Sequence, residues 1–174
     1  MRPQPLEYML THNYLLSVLA YDCVTGVFIW RQAPNHSTRA GSIAGSEWKG
    51  YIRIGICRRR YKRSRLAWFY IHGRWPARGV DHRNGISTDD RIENLREATQ
   101  SENCQNRRVS IRNTSGFTGV TLNRSRQSLK KWQAKIGVNG RDVPLGYFET
   151  STEAYVAYLA AKAQKHHFQP VPRL

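Results

Sequence analysis

The chain has 174 residues, in which 28 Lys and Arg stand against 12 Asp and Glu for a formal net charge of +16. That excess suits a polyanionic partner, while 40% hydrophobic residues with 5 Trp, 9 Tyr and 5 Phe exclude a merely disordered basic tail. No run approaches the roughly 18 consecutive apolar residues of a membrane span, and the Leu15 to Ala20 stretch is too short for a signal-peptide core, so a cytoplasmic protein with no membrane partner is expected.

In chain order, Tyr21-Asp-Cys-Val-Thr-Gly26 followed by Val27-Phe-Ile-Trp30 predicts a hairpin around Gly26, and Tyr51-Ile-Arg-Ile-Gly-Ile56 alternates as a strand does. Residues 1–60 therefore read as a β-rich N-terminal region. Between these strands, residues 33–50 carry Pro, Asn, Ser and glycines with little apolar periodicity, and are expected to be a loop or crossover without chemistry. Cys23, Cys57 and Cys104 form no Cys-x-x-Cys pair; reduced, mostly buried thiols are expected rather than a zinc site.

Six cations crowd Arg58-Arg-Arg-Tyr-Lys-Arg-Ser-Arg65, and Arg58, Arg59, Arg60, Lys62, Arg63 and Arg65 are candidates for phosphate contact. A helix over Leu66–His72, ended by Gly73, should follow. Val80-Asp-His-Arg-Asn-Gly85 reads as a strand entering an Asn-Gly turn, with Asn94-Leu-Arg-Glu97 as its return. Thr99-Gln-Ser-Glu102 has capping-box spacing and starts a helix that carries Asn103 and runs through Arg107 and Arg108. Strand, turn, strand and helix would bring Asp81, His82 and Asn103 together. Six of the twelve acids (Asp81, Asp89, Asp90, Glu93, Glu97 and Glu102) lie in this stretch, although Asp89 and Asp90 beside Arg91 are read as a solvated turn.

A polar linker, residues 109–115, leads to a cleaner pattern. Phe117–Asn123 and Lys131–Val138 alternate, Asn139-Gly140 turns into Asp142–Phe148, and Thr150-Ser-Thr-Glu153 caps a helix that presents Ala154, Ala157, Tyr158 and Ala161 on one face. Three strands covered by one helix are expected over residues 116–170.

Two family resemblances rest on these residues. Positions 65–107 resemble the HNH nucleases of homing-endonuclease type through Arg65-Leu-Ala-Trp68, Gly73-Arg-Trp-Pro76, Val80-Asp-His82, Asn84-Gly85, Asp90-Arg-Ile-Glu-Asn-Leu-Arg96 and Glu102-Asn103. Ser64 departs from the pattern, standing where many such nucleases have a His that reads as structural. Positions 115–168 resemble an AP2-type DNA-binding domain through Ser115-Gly-Phe-Thr-Gly-Val120, Trp132-Gln-Ala-Lys-Ile136, Leu145-Gly-Tyr-Phe148 and Glu153-Ala-Tyr-Val-Ala-Tyr158. Gly137 and Pro144 replace the long groove-contacting side chains of the plant transcription factors, so base preference does not transfer.

Together the resemblances imply an α+β protein: a ββα-metal (HNH) nuclease core at 61–108 between the β-rich N-terminal region and an AP2-like sheet plus helix. They imply a site-specific DNA endonuclease of phage or mobile-element origin working in a bacterial host cell, with double-stranded DNA as partner and no obligatory protein partner. His82 would be the general base, since an imidazole exchanges protons near neutral pH. Asp81 and the Asn103 amide would bind a divalent metal, Mg²⁺ or else Mn²⁺ and not zinc. Asn94 would brace the loop that orients His82. Thr121, Asn123, Lys131, Gln133 and Lys135 would face the major groove, and Arg107, Arg108, Arg112, Arg124, Arg126 and Arg141 would add phosphate contacts. The rival expectations are an AP2-type DNA-binding regulator with an inactive nuclease fold, and a basic RNA-binding protein.

Overall fold

The computed structural model describes residues 10–106, 109, 113–125 and 127–168. The chain is mixed α+β and divides into two compact units, residues 1–98 and 99–174.

The first unit begins with a helix, α1 (His12–Val18), where the sequence reading anticipates only strands. Its start is local: the Thr11 hydroxyl accepts from the Tyr14 amide, and Leu15 and Val18, three residues apart, turn one face inward. The expected hairpin follows as β1 (Leu19–Asp22) and β2 (Val27–Trp30), antiparallel with Asp22 opposite Val27. Gly26 in its turn has φ +73°, and a Cβ there would lie 2.5 Å from the Arg91 amide nitrogen, so the turn is seated directly on the backbone at Asp90–Arg91.

β3 (Ser46–Trp48), β4 (Tyr51–Ile56) and β5 (Arg59–Lys62) form an antiparallel meander. The predicted loop at 33–50 thus gives way to a strand at its end, because Trp48 and Tyr51 pair across the Lys49-Gly50 turn. α2 (Arg63–His72) starts three residues earlier than its apolar run. Arg63 and Ser64 are buried, so the first turn belongs to the core, and Gly73 ends the helix in the left-handed conformation at φ +66°. Phe28, Leu15, Leu19, Ile54 and Leu66 are fully buried between these elements, each contributing about 1.5–3 kcal/mol by burial. β6 (Gly79–His82) and β7 (Leu95–Ala98) pair antiparallel, and the loop between them closes through a 3-10 turn at Ile92–Asn94.

In the second unit, α3 (Gln100–Gln105) has the full capping box expected of Thr99 and Glu102. It ends at Gln105; Arg107 and Arg108 lie outside the described residues, as do Arg112 and Arg126. β8 (Val120–Leu122), β9 (Trp132–Val138) and β10 (Arg141–Phe148) form a sheet in the order β10-β9-β8, covered by α4 (Ser151–Lys165). Ala134, Ile136, Ala154, Tyr158 and Ala161 are buried where sheet meets helix. Gly119, at φ +76°, has no room for a side chain: a Cβ would meet the Tyr158 ring at 2.3 Å.

All three cysteines are free and exposed, against the expectation of buried thiols; each sits in a turn or on an outer helix face rather than on an inward strand position. Among the described residues no helix is long and apolar enough to cross a membrane.

Candidate active site

The β6–β7 pair and its loop set the geometry. Asp81 and His82 occupy the end of β6 opposite Arg96 and Leu95, and both side chains are buried at 6% exposure. The loop between the strands is held by amides. Asn94 Oδ1 accepts the Asn84 backbone N–H at 2.9 Å, while its Nδ2 donates to Asn84 Oδ1 at 3.0 Å and to the Asp89 carbonyl at 2.7 Å. Asn84 Nδ2 in turn donates to Asp89 Oδ2, and its Oδ1 also accepts the Ile86 amide. One side chain at the end of the loop thereby fixes both of its limbs.

His82 Nε2 lies 2.7 Å from Asp90 Oδ1. A carboxylate accepts, so Nε2 carries the proton and Nδ1 becomes the proton-accepting nitrogen of the ring. Asp90 is itself buried at 1% exposure, and its second oxygen accepts Arg63 Nε at 2.7 Å. A further Arg63 nitrogen donates to the Thr88 carbonyl at 2.7 Å, and the Tyr21 hydroxyl donates to the Asp90 carbonyl at 2.7 Å. Burial, and then the negative charge of Asp90, hold the Tyr21 phenol well above its ordinary range, so it stays a donor.

Two expectations are corrected here. Neither acid stands in a solvated turn: Asp90 is buried, and Asp89 is half-buried, with its carboxyl hydrogen-bonded chiefly to Arg91 and also to Asn84 and pulled down to about 2. Arg63 is not available to phosphate: it is 7% exposed and neutralises Asp90 from inside the fold. The signal for both was present in the sequence as an Arg three residues before the predicted helix and an Asp eight residues beyond His82. Nothing in their spacing distinguishes a buried pair from two surface charges.

Asp81 Oδ2 is 3.0 Å from Arg96 Nε, so the carboxylate is oriented and partly neutralised across the strand pair. Asn103 is exposed on α3, in the second unit. Among the described residues no group of three or more His, Cys, Asp or Glu side chains is placed to hold a metal. The Asp81 carboxylate and the Asn103 amide are both hard oxygen donors, each standing in its own unit.

The remaining cations divide. Arg58, Arg59 and Arg60 are exposed, Lys62 is half-buried with its ammonium 4.0 Å from the Tyr51 ring centre, and Arg65 is half-buried with its guanidinium 5.7 Å from that of Trp75. On the second unit's sheet, Thr121 and Tyr147 flank Gln133 on the face away from α4. Lys131, Arg124 and Arg141 are exposed, whereas Asn123 caps its own turn by accepting the Ser125 amide and Lys135 forms a 2.7 Å ion pair with Asp142. His12 and His166 bond backbone carbonyls of Tyr70 and Gly137, as packing residues do.

One family model spans these residues. Residues 61–105 match the HNH endonuclease family, a span that begins at Tyr61 and takes in Arg63, Asp81, His82, Asp90, Asn94 and Asn103. The match supports an HNH nuclease acting on DNA. No curated protein and no solved structure matches the chain.

Proposed function

We propose that the protein is a site-specific DNA endonuclease of homing type, in which the HNH segment cuts and the second unit, read as AP2-like, contributes affinity and site choice. The observation that carries this reading is the buried His82–Asp90–Arg63 chain inside the HNH match. It fixes the tautomer and orientation of an imidazole at the end of β6, which is what a general base requires.

His82 Nδ1 takes a proton from a water molecule, whose oxygen forms the new bond to phosphorus as the P–O3′ bond breaks, leaving a 5′-phosphate and a 3′-oxygen that is protonated from solvent. Asp90 holds the imidazole while its charge changes and stabilises the imidazolium. Asn94 keeps the loop closed around the pair. Asp81 and the Asn103 amide oxygen would hold a divalent cation, which would supply positive charge for the departing 3′ oxygen. Exposed Arg58, Arg59 and Arg60 neutralise flanking phosphates.

One observation favours the second reading, a DNA-binding regulator: Asp81 already faces the Arg96 guanidinium, and a carboxylate so neutralised holds a cation less tightly. Incubating the full chain with supercoiled plasmid carrying candidate targets, with Mg²⁺ or with EDTA, separates the two. Nicked or linear product only with metal supports the nuclease; tight binding without cutting supports the regulator.

A further inference from the structure

The β3–β4–β5 meander has two unlike faces. Ile54, Ile56 and Tyr61 point into the core. Residues directly opposite across an antiparallel pair share a face, so the pairs Trp48–Tyr51, Arg53–Lys62 and Gly55–Arg60 place Trp48, Tyr51, Arg53, Lys62 and Arg60 together on the outer face. These side chains are organised on one another. The Arg53 guanidinium lies 3.4 Å from the Trp48 ring centre and the Lys62 ammonium 4.0 Å from that of Tyr51. A ring under a cation restricts its motion and leaves its N–H groups directed outward.

This face is short of negative charge. Among the described residues no acidic side chain lies within ion-pair reach of Arg53, Arg60 or Lys62. Burial first, and then the guanidiniums of Arg53 and Arg65, hold the Lys62 ammonium below its ordinary value. The face also abuts the site. The Tyr51 ring centre is 6.5 Å from that of His82, and the Ser87 hydroxyl, in the loop that orders His82, donates to the Gly50 carbonyl in the β3–β4 turn.

We propose that this outer face is a docking surface for the phosphate backbone of duplex DNA beside the scissile bond, with Arg53, Lys62 and Arg60 contacting successive phosphates and Trp48 and Tyr51 serving as platforms for the cations. The inference rests on the nuclease reading for its substrate, but it is decided by binding rather than by cutting. Trp48, in the stretch whose sequence promises only a loop, becomes a determinant of affinity. A membrane or an acidic protein would not require a row of cations ending at a general base, and duplex DNA does.

The test is equilibrium binding of the full chain to a fluorescent duplex in EDTA, across a salt series, so that no cleavage enters. For R53Q/K62Q the slope of log affinity against log salt should fall by about 1.8, about 0.9 for each lost phosphate contact, with affinity lowered roughly tenfold or more near 0.1 M salt. W48L, which removes no charge, should weaken binding several-fold, and R53K should restore part of what R53Q loses. The charge-matched control R31Q/R39Q, two exposed cations outside the β3–β5 meander, should bind more tightly than R53Q/K62Q. Melting temperatures close to the parent's establish that the variants fold. An unchanged slope for R53Q/K62Q, or weakening confined to a structured RNA of equal charge, overturns the proposal. Failure of the parent to cut plasmid while the slope still falls would overturn the nuclease reading and leave the docking surface standing.

Discussion

His82 Nε2 and Asp90 Oδ1 are 2.7 Å apart, both side chains are buried, and seven residues of loop lie between them in sequence. The carboxylate fixes which imidazole nitrogen carries the proton, and it is held in turn by Arg63 from the first turn of α2. The pairing joins three parts of the first unit: the N-terminal hairpin through Tyr21, the helix through Arg63 and the β6–β7 loop through Asp90 itself.

Asp90→Asn is expected to lower the cleavage rate by about two orders of magnitude or more while leaving DNA affinity in EDTA within about twofold, because a neutral amide neither secures the Nε2–H tautomer nor stabilises the imidazolium. A displaced or flattened limb in the pH–rate profile marks positioning of the base. A uniform loss explained by unfolding, with the profile of the remaining activity unchanged, would mark a structural role alone.

Arg63→Gln is expected to destabilise the protein by about 3 kcal/mol, since it leaves the Asp90 carboxylate buried without its cation. It should leave the salt slope of DNA binding as it is. Arg60→Gln, at an exposed position, should do the reverse, lowering the slope by about 0.9 at nearly constant denaturation midpoint.

Asn94→Ala removes three hydrogen bonds at once and should cost about 2–3 kcal/mol in urea denaturation, with cleavage falling in parallel as the loop loosens. Protected amide protons at Asn84, measured by hydrogen exchange, should become exchangeable in the variant.

The Asp89 carboxyl is lowered to about 2, chiefly by its hydrogen bonds from Arg91, from an ordinary value near 3.8. A depressed carboxylate stabilises the fold above the unfolded value and loses that stabilisation as pH falls through the folded one. The stability gap between the parent and Asp89→Asn should therefore be constant from pH 7 to about 5, and should close between about pH 4 and pH 2 in thermal melts.

Much of this was legible in local signals. The turn at Gly26, the stop at Gly73, the capping box at Thr99 and the alternation of Trp132–Val138 each depend on residues close in sequence, and each appears in the structure. What escaped was decided by packing over distance. Arg63 looks like its five cationic neighbours until the fold turns it toward Asp90, 27 residues on. Trp48 sits in a Gly- and Ser-rich stretch without periodicity, and becomes a strand residue only because Tyr51 pairs with it. The cysteines follow the same rule in reverse: small apolar side chains were expected inward, and the turns that carry Cys23 and Cys57 hold them at the surface.

The most direct measurement is single-turnover cleavage of a target-bearing duplex by the full chain in Mg²⁺, comparing the parent with His82→Ala. A loss of about 10²–10⁴-fold in rate with DNA binding preserved is expected, the range a positioned general base supplies. Equal cleavage by the two proteins would contradict the assignment of His82 as the base.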